Sequence, residues 1–351
     1  EFADFVETFG RVAIPKELPY CFFVEGGALA VENALKTAFD WKTRKNWQKG
    51  SETEGSMAIH FKQAFHGRSG YTLSLTNTSD PRKYQYFPLF DWPRIINPKL
   101  HFPITEENLQ ETIKNEQLAL VEIEQAILMN PDKVSCIIIE VIQAEGGDNH
   151  FRDEFFVELR KICDENDILL IFDEVQTGIG ITGKMWAFQN FSVIPDVISF
   201  GKKTQVCGIL ASKEKLNEVE NHVFAESSRI NSTFGGNFID MLRFQLVLEI
   251  IEKENLLENV QKQGAFLLKG LQNLQEKYPQ LISNARGKGL MCAFDLPTGE
   301  IRKDFQEKLY EENVIILICG DCSLRFRPHL NVSQEDLQFA IDKIEKIVQK
   351  Y

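Results

Sequence analysis

The chain has 351 residues, 43% apolar and 26% charged, with 51 acidic side chains against 39 basic ones and a formal net charge of −12. That length accommodates two domains, or one large domain with an appendage, and an acidic balance without a long basic run argues against a nucleic-acid partner. No apolar stretch approaches the about 18 residues that span a bilayer, and the opening EFADFVETFGRV has no basic region leading into an apolar one, so neither a membrane partner nor a signal peptide is expected.

In chain order, residues 21–24 are a short apolar run and 28–45 show helical periodicity. Residues 57–61 read as a strand, 106–129 as a long amphipathic helix, and 134–141 (VSCIIIEV) as a buried strand. Residues 153–166 are helical, and 168–172 and 197–200 are further strands. Continuous apolar runs separated by helices predict a doubly wound α/β fold, a mostly parallel central sheet covered by helices on both faces. The texture changes near residue 255. A helix over 256–277 leads into 286–296, which alternates like one half-exposed strand. A helix over 305–312, short strands near 314–318 and 323–326, and a terminal helix over 333–349 follow. The expected organisation is a large α/β domain over 1–255 and a smaller α+β domain over 256–351. Seven scattered cysteines, mostly in apolar surroundings, suit plain thiols in a reduced cytoplasmic protein. Cys319 and Cys322 have C-x-x-C spacing but no second pair or His cluster beside them, so no metal is expected.

In open α/β sheets ligands gather at the carboxyl ends of strands, and four groups fall there. Glu25-Gly26-Gly27-Ala28 opens a helix, whose exposed N–H groups and dipole suit a phosphate. Phe65-His66-Gly67-Arg68 offers an aromatic face for a planar heterocycle and a guanidinium for a carboxylate. In Glu140-Val141-Ile142-Gln143-Ala144-Glu145-Gly146-Gly147, one acid ends an apolar strand and needs a partner or a function, and a second lies at a glycine reversal. Finally, Asp173 ends ILLIF, and the next strand delivers Lys202 and Lys203. A carboxylate beside a pyridine nitrogen favours its protonated form, and a lysine can form a Schiff base and then act as a base, so this pair suits pyridoxal 5′-phosphate. On an extended chain only one of the two lysines faces the site. Arg325 and Arg327 alternate with apolar residues and share one face of a strand, a plausible carboxylate anchor.

Together these blocks resemble the class III (ω-amino acid) aminotransferases of pyridoxal-phosphate fold type I. DEVQTGIGITGKMWA, EVIQAEGG, FHGRSGYTLSLTN and STFGGN carry the likeness across essentially the whole chain, and FGKKTQVCG, NARGKGLMC and SLRFRP resemble the branch that acts on lysine. The resemblance implies transfer of the ε-amino group of L-lysine to 2-oxoglutarate, giving 2-aminoadipate 6-semialdehyde and L-glutamate. The ornithine and 4-aminobutyrate types, or an amino-acid racemase on the same fold, are the alternatives. It further implies Lys202 as the Schiff-base lysine, Asp173 on the pyridine nitrogen, Gln176 by the 3-hydroxyl and Phe65 stacked on the ring. Gly27 and Ala28 would hold the phosphate, and Thr233 would reach the phosphate of a neighbouring subunit, so a homodimer is implied. Arg325 would hold the substrate carboxylate with Arg68 assisting, and Glu145 would neutralise Arg325 or move aside. The block departs from the family's E-P-I-Q pattern at Val141 and Ala144. Family members carry several dozen residues ahead of the phosphate-loop block, which here begins within the first thirty.

Overall fold

A computed structural model describes residues 1–351. The first half alternates as its apolar runs predict: α1 (Phe2–Val12), β1 (Tyr20–Val24), α2 (Gly27–Gln48), β2 (Met57–Phe61), α3 (Gly70–Leu75), β3 (Arg94–Ile95), α4 (Glu106–Met129) and β4 (Val134–Glu140). Then come α5 (Asp153–Glu165), β5 (Leu169–Asp173), β6 (Val197–Phe200), β7 (Cys207–Ala211), the short α6 (Lys213–Leu216) and α7 (Phe238–Lys253). Polar caps set several boundaries: the Thr105 hydroxyl accepts the Asn108 N–H at the start of α4, and Asn237 does the same for Ile239 at α7.

The seven strands lie in the order β1-β7-β6-β5-β4-β2-β3. All neighbouring pairs are parallel except those of β7, which runs antiparallel to both β1 and β6. Every residue of β4, β5 and β6 is buried, which is why these strands read as unbroken apolar runs. Side chains alternate between two cores. Ile137 and Ile139 join the cluster with Phe9, Phe172 and Trp186, while Cys136 and Ile138 face Trp41, Leu35 and Ile171. Helix α1, seen in the sequence only as lacking leader character, packs Phe5 and Phe9 against Phe244 of α7, with ring centroids 6.2 and 5.4 Å apart.

The remainder comprises α8 (Leu256–Lys277), β8 (Ser283–Lys288), β9 (Met291–Asp295), α9 (Gly299–Glu311), β10 (Leu317–Cys319), β11 (Ser323–Arg325) and α10 (Gln334–Val348). Its antiparallel sheet, ordered β10-β11-β9-β8, encloses a separate core with Leu267, Phe294, Phe305 and Ile344. The single half-exposed strand expected over 286–296 is instead a hairpin. The chain reverses at Gly289, whose φ of +56° disfavours a side chain, and Met291–Phe294 are buried because helices cover them. The turn touches α8 so closely that a Cβ on Gly264 would lie 2.3 Å from the Gly289 carbonyl oxygen. Arg286 of β8, fully enclosed, donates through Nε to the carbonyls of Gly147 and Asp148 at 3.2 and 3.1 Å and pairs with Asp295 at 2.9 Å. That guanidinium ties the smaller sheet to the loop after β4.

Candidate active site

The parallel pairing of the central strands aligns their ends: Glu140 is opposite Asp173, and Asp173 opposite Ser199. Asp173 is buried. Its Oδ1 accepts the Ser199 hydroxyl and the Val175 N–H, both at 3.0 Å, and its Oδ2 lies 2.8 Å from His66 Nδ1. Three hydrogen-bonding groups converge on one carboxylate and fix its orientation. Glu140 accepts the N–H groups of Phe65 at 2.8 Å and Ala144 at 3.1 Å, yet burial pushes its carboxyl up to about 7. Glu174, next to Asp173, is directed the other way. It accepts the N–H groups of Ala187 and Phe188 and the Thr177 hydroxyl, pinning the loop after β5.

Above this row lies a cleft of about 280 Å³. Gly27 and Ala28 border it at the amino end of the 22-residue α2, where unpaired N–H groups and the dipole make an anion seat. Phe65 and Val175 also border it, as do Arg68, Gln176 and Lys202. Gly27 is matched to that wall, since a Cβ there would meet Val175 Cγ1 at 2.9 Å. His66 Nε2 is buried without a partner. An anion seat, a flat apolar space, a buried carboxylate and an amine are the donor set that pyridoxal phosphate requires, so the residues fit the group.

The two lysines after β6 diverge. Lys202 is exposed, has φ +55° and lines the cleft. Lys203 turns away and donates to the Gln176 carbonyl at 2.5 Å, with burial lowering its amine to about 7. A short 3₁₀ turn over 202–204, rather than an extended strand end, separates them.

Lys202 and Gln176 also border a second cleft of about 750 Å³, together with Arg325 and Arg327. Gln176 Oε1 accepts from Arg325 Nη1 and Arg327 Nε, each at 3.2 Å. Sequence reading did not find the partner of these arginines, Asp148, which is wholly buried against Arg327. The pairing spans 179 residues, and only the burial of an acid in EGGDNHF could have hinted at it. The Glu145 carboxylate does not meet Arg325 here. It pairs with Lys83 Nζ at 2.6 Å and accepts the Thr78 hydroxyl at 3.3 Å, in a polar hollow of about 740 Å³. Lys83, unremarked in the sequence, also lies 5.8 Å from the Phe65 ring centroid. Thr233 is exposed in the glycine-rich segment 231–237 and borders neither cleft. All seven cysteines are free, and Cys319 is buried with its thiol pushed up to about 12.

The sequence pattern of the family described as aminotransferase class-III matches residues 1–348. An L-lysine-epsilon aminotransferase of Mycobacterium tuberculosis is 50% identical over 97% of this chain and 75% of its own length. Its counterpart from Streptomyces clavuligerus is 45% identical over 99% and 76%. A human mitochondrial 4-aminobutyrate aminotransferase is 36% identical over 90% and 65%. Among solved structures, a lysine aminotransferase from M. tuberculosis in the internal aldimine form superposes with a TM-score of 0.95 at 48% identity, covering 99% of this chain and 79% of that one. Converging on the geometry of the two clefts, these likenesses show that the chain belongs to the class III aminotransferases.

Proposed function

We propose that this aminotransferase moves the ε-amino group of L-lysine to 2-oxoglutarate, releasing 2-aminoadipate 6-semialdehyde and L-glutamate. The observation that carries the reading is the junction of the two clefts at Lys202: on one side is a seat for a planar phosphorylated cofactor, on the other the guanidinium of Arg325, which keeps donors free for a carboxylate. The donor is taken to be lysine because lysine-epsilon aminotransferases are 45% to 50% identical to this chain over at least 97% of its length. The acceptor is taken to be a dicarboxylate because Arg325, Arg327, Lys202 and Lys203 line one cleft to which no acid contributes, the buried Asp148 standing behind Arg327.

Pyridoxal phosphate, when bound, supplies an aldehyde that condenses with amines and a ring that takes up electrons as a C–H proton leaves. The protein does the rest. Gly27 and Ala28 would hold the phosphate through backbone N–H groups, Phe65 and Val175 would confine the ring, and Gln176 would approach its 3-hydroxyl. Asp173, braced by His66 and Ser199, would keep a proton on the ring nitrogen. Lys202 Nζ would carry the aldehyde at rest and then take the proton from the carbon bearing the transferred amine. Arg325 would bind the substrate carboxylate, with Arg68 assisting from the rim and Glu145 leaving Lys83 when it is needed to offset Arg325.

We further read the protein as a cytoplasmic homodimer, with a large domain over 1–255 and a small domain over 256–351. No helix is long and apolar enough to cross a membrane. Support for the dimer is the exposure of Phe234 (84%) and Ile239 (65%) beside Thr233, which would then reach the phosphate of the other subunit. The deciding experiment is product identification after incubating the protein with pyridoxal phosphate, 2-oxoglutarate and each of lysine, ornithine and 4-aminobutyrate. Lysine-dependent glutamate exceeding that from the other donors is expected, and faster turnover of either alternative would overturn the assignment.

A further inference from the structure

Arg325 and Arg327 face the same cleft, but they are not equivalent. Asp148 grips both arms of Arg327, with Nη1 to Oδ2 at 2.8 Å and Nη2 to Oδ1 at 2.5 Å, and Arg327 Nε donates to Gln176. The fork of Arg327 is fully engaged. Arg325 makes one hydrogen bond, to Gln176. It stands 3.9 Å from Asp148 and keeps a buried Nε without a partner. Asp148 is itself immobile: its side chain is 0% exposed, its φ is +50°, and its main-chain carbonyl accepts from Arg286 Nε at 3.1 Å.

We propose that Asp148 sets the substrate selectivity of the cleft by offsetting Arg327, so that Arg325 is the single guanidinium offered to a carboxylate. The inference rests on the proposed function, in which one cleft must accept both lysine and 2-oxoglutarate. Lysine brings an α-carboxylate and an α-ammonium together, a head of no net charge. 2-Oxoglutarate brings carboxylates alone. One guanidinium serves either. Two adjacent free guanidiniums would hold the dicarboxylate more tightly and repel the ammonium, shifting the balance towards the acceptor. Asp148 thus keeps the dicarboxylate from monopolising the cleft.

The test uses the holoenzyme, with glutarate as an unreactive dicarboxylate. For Asp148→Asn, glutarate affinity by titration calorimetry should rise about tenfold, the KM for lysine should rise severalfold, and kcat should change less than either. The double variant D148N/R327Q, which removes both charges, should return the glutarate-to-lysine ratio to within about threefold of the starting protein. A D148N protein with lowered thermal stability but an unchanged ratio would show a purely structural role and overturn the proposal. If D148N does not fold, the double variant decides: near-native glutarate affinity supports the proposal, and a tenfold loss shows that Arg327 itself binds carboxylate and overturns it. Glutarate results that follow the prediction in a protein that makes no glutamate from lysine would uphold the role of Asp148 while sinking the assigned donor.

Discussion

His66 Nδ1 stands 2.8 Å from Asp173 Oδ2, and both side chains are closed off from solvent. The imidazole is therefore a brace for Asp173, one of two carboxylates at the floor of the cleft. Replacing His66 with Leu leaves a buried carboxylate oxygen without its partner and should lower stability by about 1–3 kcal/mol. It should also weaken pyridoxal phosphate binding, whereas His66→Asn, which keeps a donor, should recover part of the loss. Thermal unfolding together with cofactor titration would reveal both effects, and unchanged binding in the Leu variant would remove His66 from the site.

Glu140 makes stability depend on pH in a defined direction. Its carboxyl, near 7 in the folded chain against 4.5 as a free side chain, holds a proton that the unfolded chain has already released across that window. The cofactor-free protein should therefore lose stability as pH rises from about 4.5 to 7, by roughly 3 kcal/mol from this group, and level off above. In Glu140→Gln that contribution vanishes, so the difference between variant and parent should itself vary with pH. Denaturant titrations at several pH values provide the measurement.

The two lysines should separate cleanly. Lys202→Ala should abolish the visible absorbance of lysine-bound cofactor and reduce glutamate formation by at least about a thousandfold. Lys203→Met should retain the absorbance. With its amine lowered to about 7 from 10.5, Lys203 is neutral in the folded chain where the unfolded chain is protonated. Stability should accordingly rise between about pH 7 and 10.5 in the parent, and lose that component in Lys203→Met. Loss of absorbance in the Met variant alone would reverse the assignment.

Gly27→Ala places a methyl 2.9 Å from Val175 Cγ1 and drives that side chain towards the cleft. Cofactor affinity should fall about tenfold, with little change in melting temperature of the cofactor-free protein. Restoration by the double variant Gly27→Ala/Val175→Ala would identify the collision as the cause.

Ile239→Glu puts a charge at the centre of the exposed apolar group on α7. On the proposed dimer, sedimentation should show a dimer for the parent and a monomer for the variant, with weaker retention of pyridoxal phosphate as the proposed contact from Thr233 of the other subunit is withdrawn. A parent protein that sediments as a monomer at every concentration would defeat the dimer.

The strands that deliver Glu140, Asp173 and Lys202 were legible because each is an apolar run ended abruptly by a charge, and burial on both faces leaves no alternation to confuse them. Helix α1 was equally readable in principle, since Phe2, Phe5 and Phe9 recur at helical spacing, but nothing local shows that it closes the floor of the main core. The direction of β7 was hidden because periodicity records which face a residue occupies and is silent about which way the strand runs. Asp148 and Lys83 were missed for a related reason. An ion pair between distant segments leaves no trace in either, and its members look like ordinary polar loop residues until the fold brings them together.

The antiparallel course of β7 has a mechanical consequence. Ser199 sits opposite Ile209 and Phe200 opposite Gly208, so the Lys202 turn is the tip of a tight reversal. On its other side Gly208 presses on β1, where a Cβ would come 2.2 Å from the Phe22 carbonyl oxygen. Sliding the hairpin by one place would thrust Cys207 or Ile209 into that gap, and it would also exchange Lys202 for Lys203 at the mouth of the cleft. The backbone of β1 thus opposes the slide, and an edge strand without chemistry of its own helps set which of two adjacent lysines is presented.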